Sequence, residues 1–164
     1  MTDAEAEFNA FVAARTAALS RTAYLLTGDH HLAEDLLQTA LFQAARHWER
    51  IETAPEAYVR RVLYTQNVSW WRRRKYAESG LGSLDVAAPC AAPDLRLTLE
   101  QALARLTPKQ RTVLVLRYFE DLTEVQAAAA LGVSAGTVKS TTRQALARLR
   151  TLAPELSELI GVTP

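Results

Sequence analysis

At 164 residues and a net charge of +1, the chain holds one medium domain or two small ones. Apolar residues make up 49%, with only six glycines and six prolines, which excludes a disordered chain; a lone cysteine, Cys90, excludes an internal disulfide framework and fits a reducing cytoplasm. No run approaches the roughly 18 uninterrupted apolar residues of a membrane span, and the acidic N-terminus is unlike a signal peptide.

Helical periodicity dominates and no strand pattern stands out, so an all-α fold of two small helical domains is expected. Thr2 with Glu5 forms a capping box for a first helix. Phe8, Phe11, Val12, Leu19, Ala23 and Leu26 keep one face of it, and Gly28 stops it. A second helix is expected from about Leu32 to Arg50, with Leu36, Leu37, Leu41, Ala44, Ala45 and Trp48 inward. Thr53 and Pro55 suit the N-cap and first turn of a third helix, which continues through Tyr58, Val59, Val62, Leu63, Val68 and Trp71 to about Lys75.

Residues 79–93 hold two glycines and two prolines without periodicity and read as a flexible linker. They separate a first domain, 1–78, from a second, 94–152, followed by a tail, 153–164. After Asp94, a plausible N-cap, a helix is expected over 95–105. Thr107-Pro108-Lys109-Gln110 packs N-cap, first-turn Pro and capping-box Gln into four residues and starts a helix reaching about Tyr118. Thr123 with Gln126 opens the next, Ser134 caps another, and Leu156, Leu159 and Ile160 suggest a short amphipathic tail helix.

Residues 123–150 carry the most specific signal. Ala128 is small where two helices must cross, and Gly132 can take the left-handed conformation that ends the first of them. Val138 returns to the core, while Lys139, Ser140, Arg143 and Gln144 fall on the other side. This is helix-turn-helix spacing, with the second helix expected in the DNA major groove. An ordinary helical hairpin would explain the small residues but not the polar, basic face.

Charge is unevenly spread. Nine acids stand against four arginines up to Ala57, whereas residues 58–76 carry Arg60, Arg61, Arg72, Arg73, Arg74 and Lys75 with no acid. Residues 94–152 are again basic. Two basic segments imply two contacts with a polyanion, and the acidic leading portion suggests a protein partner.

The run Ala104-Arg105-Leu106-Thr107-Pro108-Lys109-Gln110-Arg111 through Leu116-Arg117-Tyr118-Phe119-Glu120-Asp121-Leu122-Thr123, flowing into Leu131-Gly132-Val133-Ser134-Ala135-Gly136-Thr137-Val138-Lys139-Ser140, resembles the fourth domain of a bacterial RNA polymerase sigma factor. Ala33-Glu34-Asp35-Leu36-Leu37-Gln38-Thr39-Ala40-Leu41-Phe42 is similar to the family's polymerase-docking helix, and Tyr58 to Lys75 to the helix that reads and melts the −10 element. The arrangement resembles the compact extracytoplasmic-function type, which keeps only the second and fourth sigma domains. The resemblance implies core RNA polymerase and promoter DNA as partners, and regulation by an anti-sigma protein. Three positions depart from the family pattern. Thr65 stands where an asparagine often captures an unpaired base, Ser69 where an aspartate is common, and Ser140-Thr141 where Ser-Arg is common.

Holding melted bases needs aromatic surfaces, polar groups for base edges and cations for phosphates. Thr65, Gln66, Asn67, Trp70, Arg72, Arg73, Arg74 and Lys75 supply them and are the −10 candidates. Trp71 is in register with the core residues Val68 and Tyr64, which makes Trp70 the better stacking surface. Cations also favour a helix C-terminus, yet four in a row beside aromatics exceed that need. Lys139, Ser140, Arg143 and Gln144 are the −35 candidates: arginine suits guanine edges, glutamine pairs with adenine, and Lys and Ser serve phosphates. For polymerase binding, Asp35, Leu36, Gln38 and Phe42 mix apolar anchors with a few polar groups, as interfaces do.

His30 and His31 are adjacent, point apart and read as a helix-entry turn rather than metal ligands. No paired carboxylates, nucleophile triad or phosphate-cradling glycine loop is found, so no catalytic residue, metal or cofactor is expected and the chain is not an enzyme. A stand-alone helix-turn-helix regulator would account for residues 95–150 but leave Trp70 to Lys75 without a task; a protein-binding adaptor would need neither basic segment.

Overall fold

The computed structural model describes residues 2–52, 54–77 and 95–159. The expected linker, the caps assigned to Thr53 and Asp94, and Ile160 lie outside the described residues, as do the side chains of Trp71 and Leu159. All regular elements among the described residues are helical: α1 Asp3–Thr27, α2 His30–His47 with a 3-10 turn Trp48–Arg50, α3 Pro55–Ala77, α4 Leu95–Ala104, α5 Pro108–Leu114 continuing as a π turn Val115–Phe119, α6 Glu124–Leu131, α7 Ala135–Leu152 and α8 Pro154–Leu159. Residue contacts group into two compact units, Met1–Ser69 and Trp70–Pro164.

In the first unit, local chemistry sets the helix ends. Thr2 Oγ1 accepts the Glu5 amide while the Glu5 carboxylate accepts the Thr2 amide at 2.8 Å, closing the expected box. Gly28 sits at φ 69°, left-handed as a C-cap glycine should be. Asp29 caps α2 by accepting the Leu32 amide at 2.9 Å, and that hydrogen bond holds its carboxyl below the usual aspartate pKa. Leu19, Ala23 and Leu26 of α1, Leu36, Leu37, Ala40 and Ala44 of α2, and Val59, Val62 and Leu63 of α3 form the core. Trp48 packs edge-on to Phe8 with centroids 5.2 Å apart and tilts against Phe11 at 5.3 Å. Ala45, expected inward, is exposed, because Ala44 takes the inner position at that turn.

A polar clasp ties α3 to α1. Glu56 accepts two bonds from Arg60, at 2.8 and 3.2 Å, and pairs with Arg15 at 3.3 Å. Arg60 also donates to Thr22 Oγ1 at 2.8 Å, a hydroxyl in the buried face of α1. Arg60 is therefore a structural cation rather than part of an open basic patch. Its neighbour Arg61 is exposed.

In the second unit, the boxes Thr107–Gln110 and Thr123–Gln126 both form, and Ser134 Oγ accepts the Thr137 amide at 3.1 Å. Gly132 ends α6 at φ 67°, and the Val133 amide reaches Ala128 O at 3.1 Å beneath it. The helix expected to reach Tyr118 instead widens after Leu114. The Glu120 amide bonds Val115 O, five residues back, and the Leu122 amide bonds Leu116 O. Asp121 takes φ 54°, a conformation that aspartate tolerates better than most, so neither Gly nor Pro marks the turn. Arg117 donates to Leu122 O across it.

Arg111 is 5% exposed, and its guanidinium donates to Leu103 O at 2.9 Å and Ala104 O at 3.1 Å. It thus caps the end of α4, adding a second donor to Leu103 O, which also accepts the Leu106 amide at 3.1 Å, and supplying one to Ala104 O. Burial lowers its pKa from the usual arginine value. At the other end of the unit, Leu156 of α8 enters the cluster formed by Ala102, Leu106, Leu114, Ala145, Leu149 and Ala153.

Two stability effects are expected. Leu156→Ala removes a nearly fully buried side chain and lowers the stability of the second unit by about 2–5 kcal/mol in urea unfolding. Arg111→Ala removes a buried guanidinium and its hydrogen bonds to the end of α4 at a cost of about 1–3 kcal/mol in all, and Arg111→Lys recovers only part because an ammonium lacks the planar fork.

Candidate nucleic-acid interface

The rotation of α7 is set by what it buries. Val138, Thr141, Thr142, Ala145 and Leu149 face inward, and Thr142 Oγ1 returns its hydrogen bond to Val138 O at 2.7 Å, which satisfies that buried hydroxyl within the helix. Lys139, Ser140, Arg143 and Gln144 are all exposed, on two consecutive turns of the opposite side. All four −35 candidates are thus brought together. Arg148 and Arg150 are also exposed, further along. Thr141, which stands in place of a family arginine, is only 6% exposed. A threonine fits at that inner position, where a longer cation would have to lead its charge out to solvent.

Along α3 the −10 candidates separate. Thr65 is exposed, but its hydroxyl already donates to the backbone at Arg61 O, 3.0 Å, and Val62 O, 3.2 Å. Gln66 and Trp70 are half-buried, and Arg72 and Arg73 are exposed. Arg74 and Lys75 belong to the same helix, with side chains outside the described residues. Asn67 does not share the open face. It is 1% exposed, one turn beyond Leu63 and Tyr64 on the core side, and so is withdrawn from the base-contacting set.

On α2, Asp35, Gln38 and Phe42 are exposed at spacings of three and four, which puts them on one stripe. Phe42 is 63% exposed, with the Arg46 guanidinium 5.9 Å from its ring centroid. Leu36 is fully buried on the opposite side and cannot meet a partner; it is a core residue. The periodicity that made Leu36 look like an interface anchor was that of the core.

Besides Phe42, four large apolar side chains not singled out in the sequence are open to solvent among the described residues: Leu99 in α4, Tyr118 and Phe119 at the π turn and Val125 in α6, at 37%, 55%, 51% and 70% exposure. The available signal was an aromatic pair directly before Glu120-Asp121, too late in α5 to be covered. Elsewhere, His30 stacks on Tyr24 at 4.4 Å, consistent with the helix-entry role. Among the described residues no group of three His, Cys, Asp or Glu lies close enough to hold a metal, and no helix is long and apolar enough to cross a membrane.

Comparison with known proteins follows the same division. Residues 11–76 match the model of sigma-70 region 2, and residues 102–151 match that of sigma-70 region 4. The chain is 45% identical over 149 residues to the RNA polymerase sigma-E factor of Streptomyces coelicolor, covering 88% of this chain and 84% of that protein. It is 34% identical over 157 residues to the extracytoplasmic-function sigma factor SigL of Mycobacterium tuberculosis, covering 90% and 86%. Among solved structures, the sigma factor RpoE of Bartonella quintana, crystallised with the anti-sigma factor NepR, superposes with a TM-score of 0.69 at 27% identity, over 90% of this chain and 97% of that one. CnrH, solved with the cytosolic domain of CnrY, shares the fold at a TM-score of 0.60 and 22% identity, over 92% and 90%. Two regional matches in chain order, and relatives aligned over most of both lengths, leave one assignment: the chain belongs to the extracytoplasmic-function branch of the sigma-70 family.

Proposed function

We propose that this sigma factor divides promoter recognition between named side chains on three helices. α7 reads −35 duplex through Lys139, Ser140, Arg143 and Gln144. α3 holds the opened −10 strand through Thr65, Gln66, Trp70 and the cations Arg72, Arg73, Arg74 and Lys75. α2 docks on core RNA polymerase through Asp35, Gln38 and Phe42. The domains are 1–78 and 94–152, with 79–93 as the linker between them and 153–164 as a tail whose Ala153 and Leu156 join the core of the second domain.

The observation that carries this reading is the two-sidedness of α7, whose inner row is buried while its polar, cationic row is open. A helix so held offers base-reading groups at fixed spacing, the requirement for major-groove entry. Its exposed chemistry is also appropriate: a guanidinium for guanine, an amide for adenine, an ammonium for phosphate. On α3 the departure at Thr65 has a chemical consequence. A hydroxyl already bonded to its own helix backbone offers less to a base edge than an amide, so Gln66 and the stacking surface of Trp70 take the larger part. On α2 a large exposed aromatic flanked by two polar groups suits a docking anchor.

The chain works where RNA polymerase works, in the cytoplasm, and adds no catalytic group of its own. RpoE and CnrH were each solved with a partner protein. By analogy, an anti-sigma protein holds this chain inactive by covering the same polymerase- and promoter-binding surfaces.

Run-off transcription with purified core polymerase on a linear promoter template tests the whole reading. A transcript that requires this chain is expected, and a chain that binds duplex yet yields none is a repressor or activator instead. Arg143→Ala lowers affinity for the selected −35 duplex by about 1–3 kcal/mol with polymerase association intact; an equal loss on every sequence reduces Arg143 to a phosphate anchor. For docking, Phe42→Ala, alone or with Asp35→Ala and Gln38→Ala, weakens polymerase association without lowering the melting temperature. Leu36→Ala does the reverse, costing about 2–5 kcal/mol of fold stability.

A further inference from the structure

Gly136 lies in the first turn of α7, is exposed, and has nothing in the fold that demands glycine. Its conformation is helical, not left-handed; the positive-φ glycines are Gly28 and Gly132. A Cβ placed on it meets only Ser134 Oγ, at 3.8 Å, an ordinary contact. Alanine is the better helix former and nothing around Gly136 excludes it, so the fold itself gives no reason for glycine here. A reason for the bare backbone can then come from what the exposed side of α7 meets.

The neighbours indicate what lies there. Gly136 precedes Lys139 and Ser140 by one turn and Arg143 by two, which sets it on the same exposed side of α7. A residue with no side chain cannot read a base edge. It can let another backbone come closer than a methyl group would allow. We infer that Gly136 is a clearance point, where a sugar–phosphate strand of the −35 duplex rides against bare helix backbone, and that this close approach sets how deeply α7 enters the groove. The inference rests on α7 being the duplex-reading helix and adds a positioning residue to that face. Gly136 makes no sequence-specific contact itself; it fixes the depth at which Lys139, Ser140, Arg143 and Gln144 meet the DNA.

The test uses the full chain assembled with core polymerase and a duplex selected by wild-type holoenzyme from a library randomised at −35. Gly136→Ala is expected to hold or raise the melting temperature of the chain while weakening binding of the selected duplex at least tenfold, and Gly136→Val to weaken it further. The loss is expected to be largest on the selected duplex and to shrink discrimination at every −35 position together, since a shallower helix withdraws all its base contacts at once. Binding by Gly136→Ala within twofold of wild type overturns the inference, as does a loss confined to one base pair. Arg143→Ala, run in parallel, separates the two failures. If it too leaves binding of every duplex unchanged, the reading of α7 falls and the inference with it; if it weakens binding while Gly136→Ala does not, only the inference falls.

Discussion

The burial of one row of α7 is the constraint on which the recognition surface depends. Val138, Thr141, Thr142, Ala145 and Leu149 repeat at spacings of three and four, and their contact with the core sets the helix rotation. Once that row is inside, Lys139, Ser140, Arg143 and Gln144 have only the outside to occupy. A shift of one residue in the inner row would turn the exposed set by about 100°, enough to carry Lys139 and Arg143 together away from the open side. The composition of the exposed side is thus a by-product of apolar packing and of Thr142, whose hydroxyl is satisfied by its own helix.

The first unit solves the same problem with polar groups. Glu56 lies between Arg15 and Arg60, and Arg60 passes on to Thr22, so the start of α3 is stitched to the middle of α1. Partial burial screens the Arg60–Glu56 pair from salt, whereas Arg15, whose side chain is 53% exposed, adds only a surface ion pair. The clasp removes one arginine from the polyanion-binding inventory and leaves Arg61 beside it in solvent. The second unit uses Arg111 in a related way, as a buried cation at the end of a helix not its own.

Much of the fold was legible because its signals are local. Three capping boxes, two left-handed glycines and the Ser134 cap each depend on residues within four positions of one another, and all formed as expected. What was not legible depends on which side of a helix meets the core. Leu36 and Asn67 carry suitable chemistry for a polymerase anchor and a base-reading amide, yet each is on the buried side. The carbonyl-capping role of Arg111 spans eight residues and two helices, so no local window shows it. The π turn was missed because Asp121 supplies the positive φ without a glycine. On α7 the four candidates were legible together, because Val138 and Ala145 mark the inner side unambiguously.

The tail helix has a consequence for how this reader meets its target. Leu156 and Ala153 close over the last turn of α7, while Ser134 ties its first. A rod held at both tips keeps its length and rotation, so any reshaping on contact with a partner falls to its exposed side chains or to the partner itself.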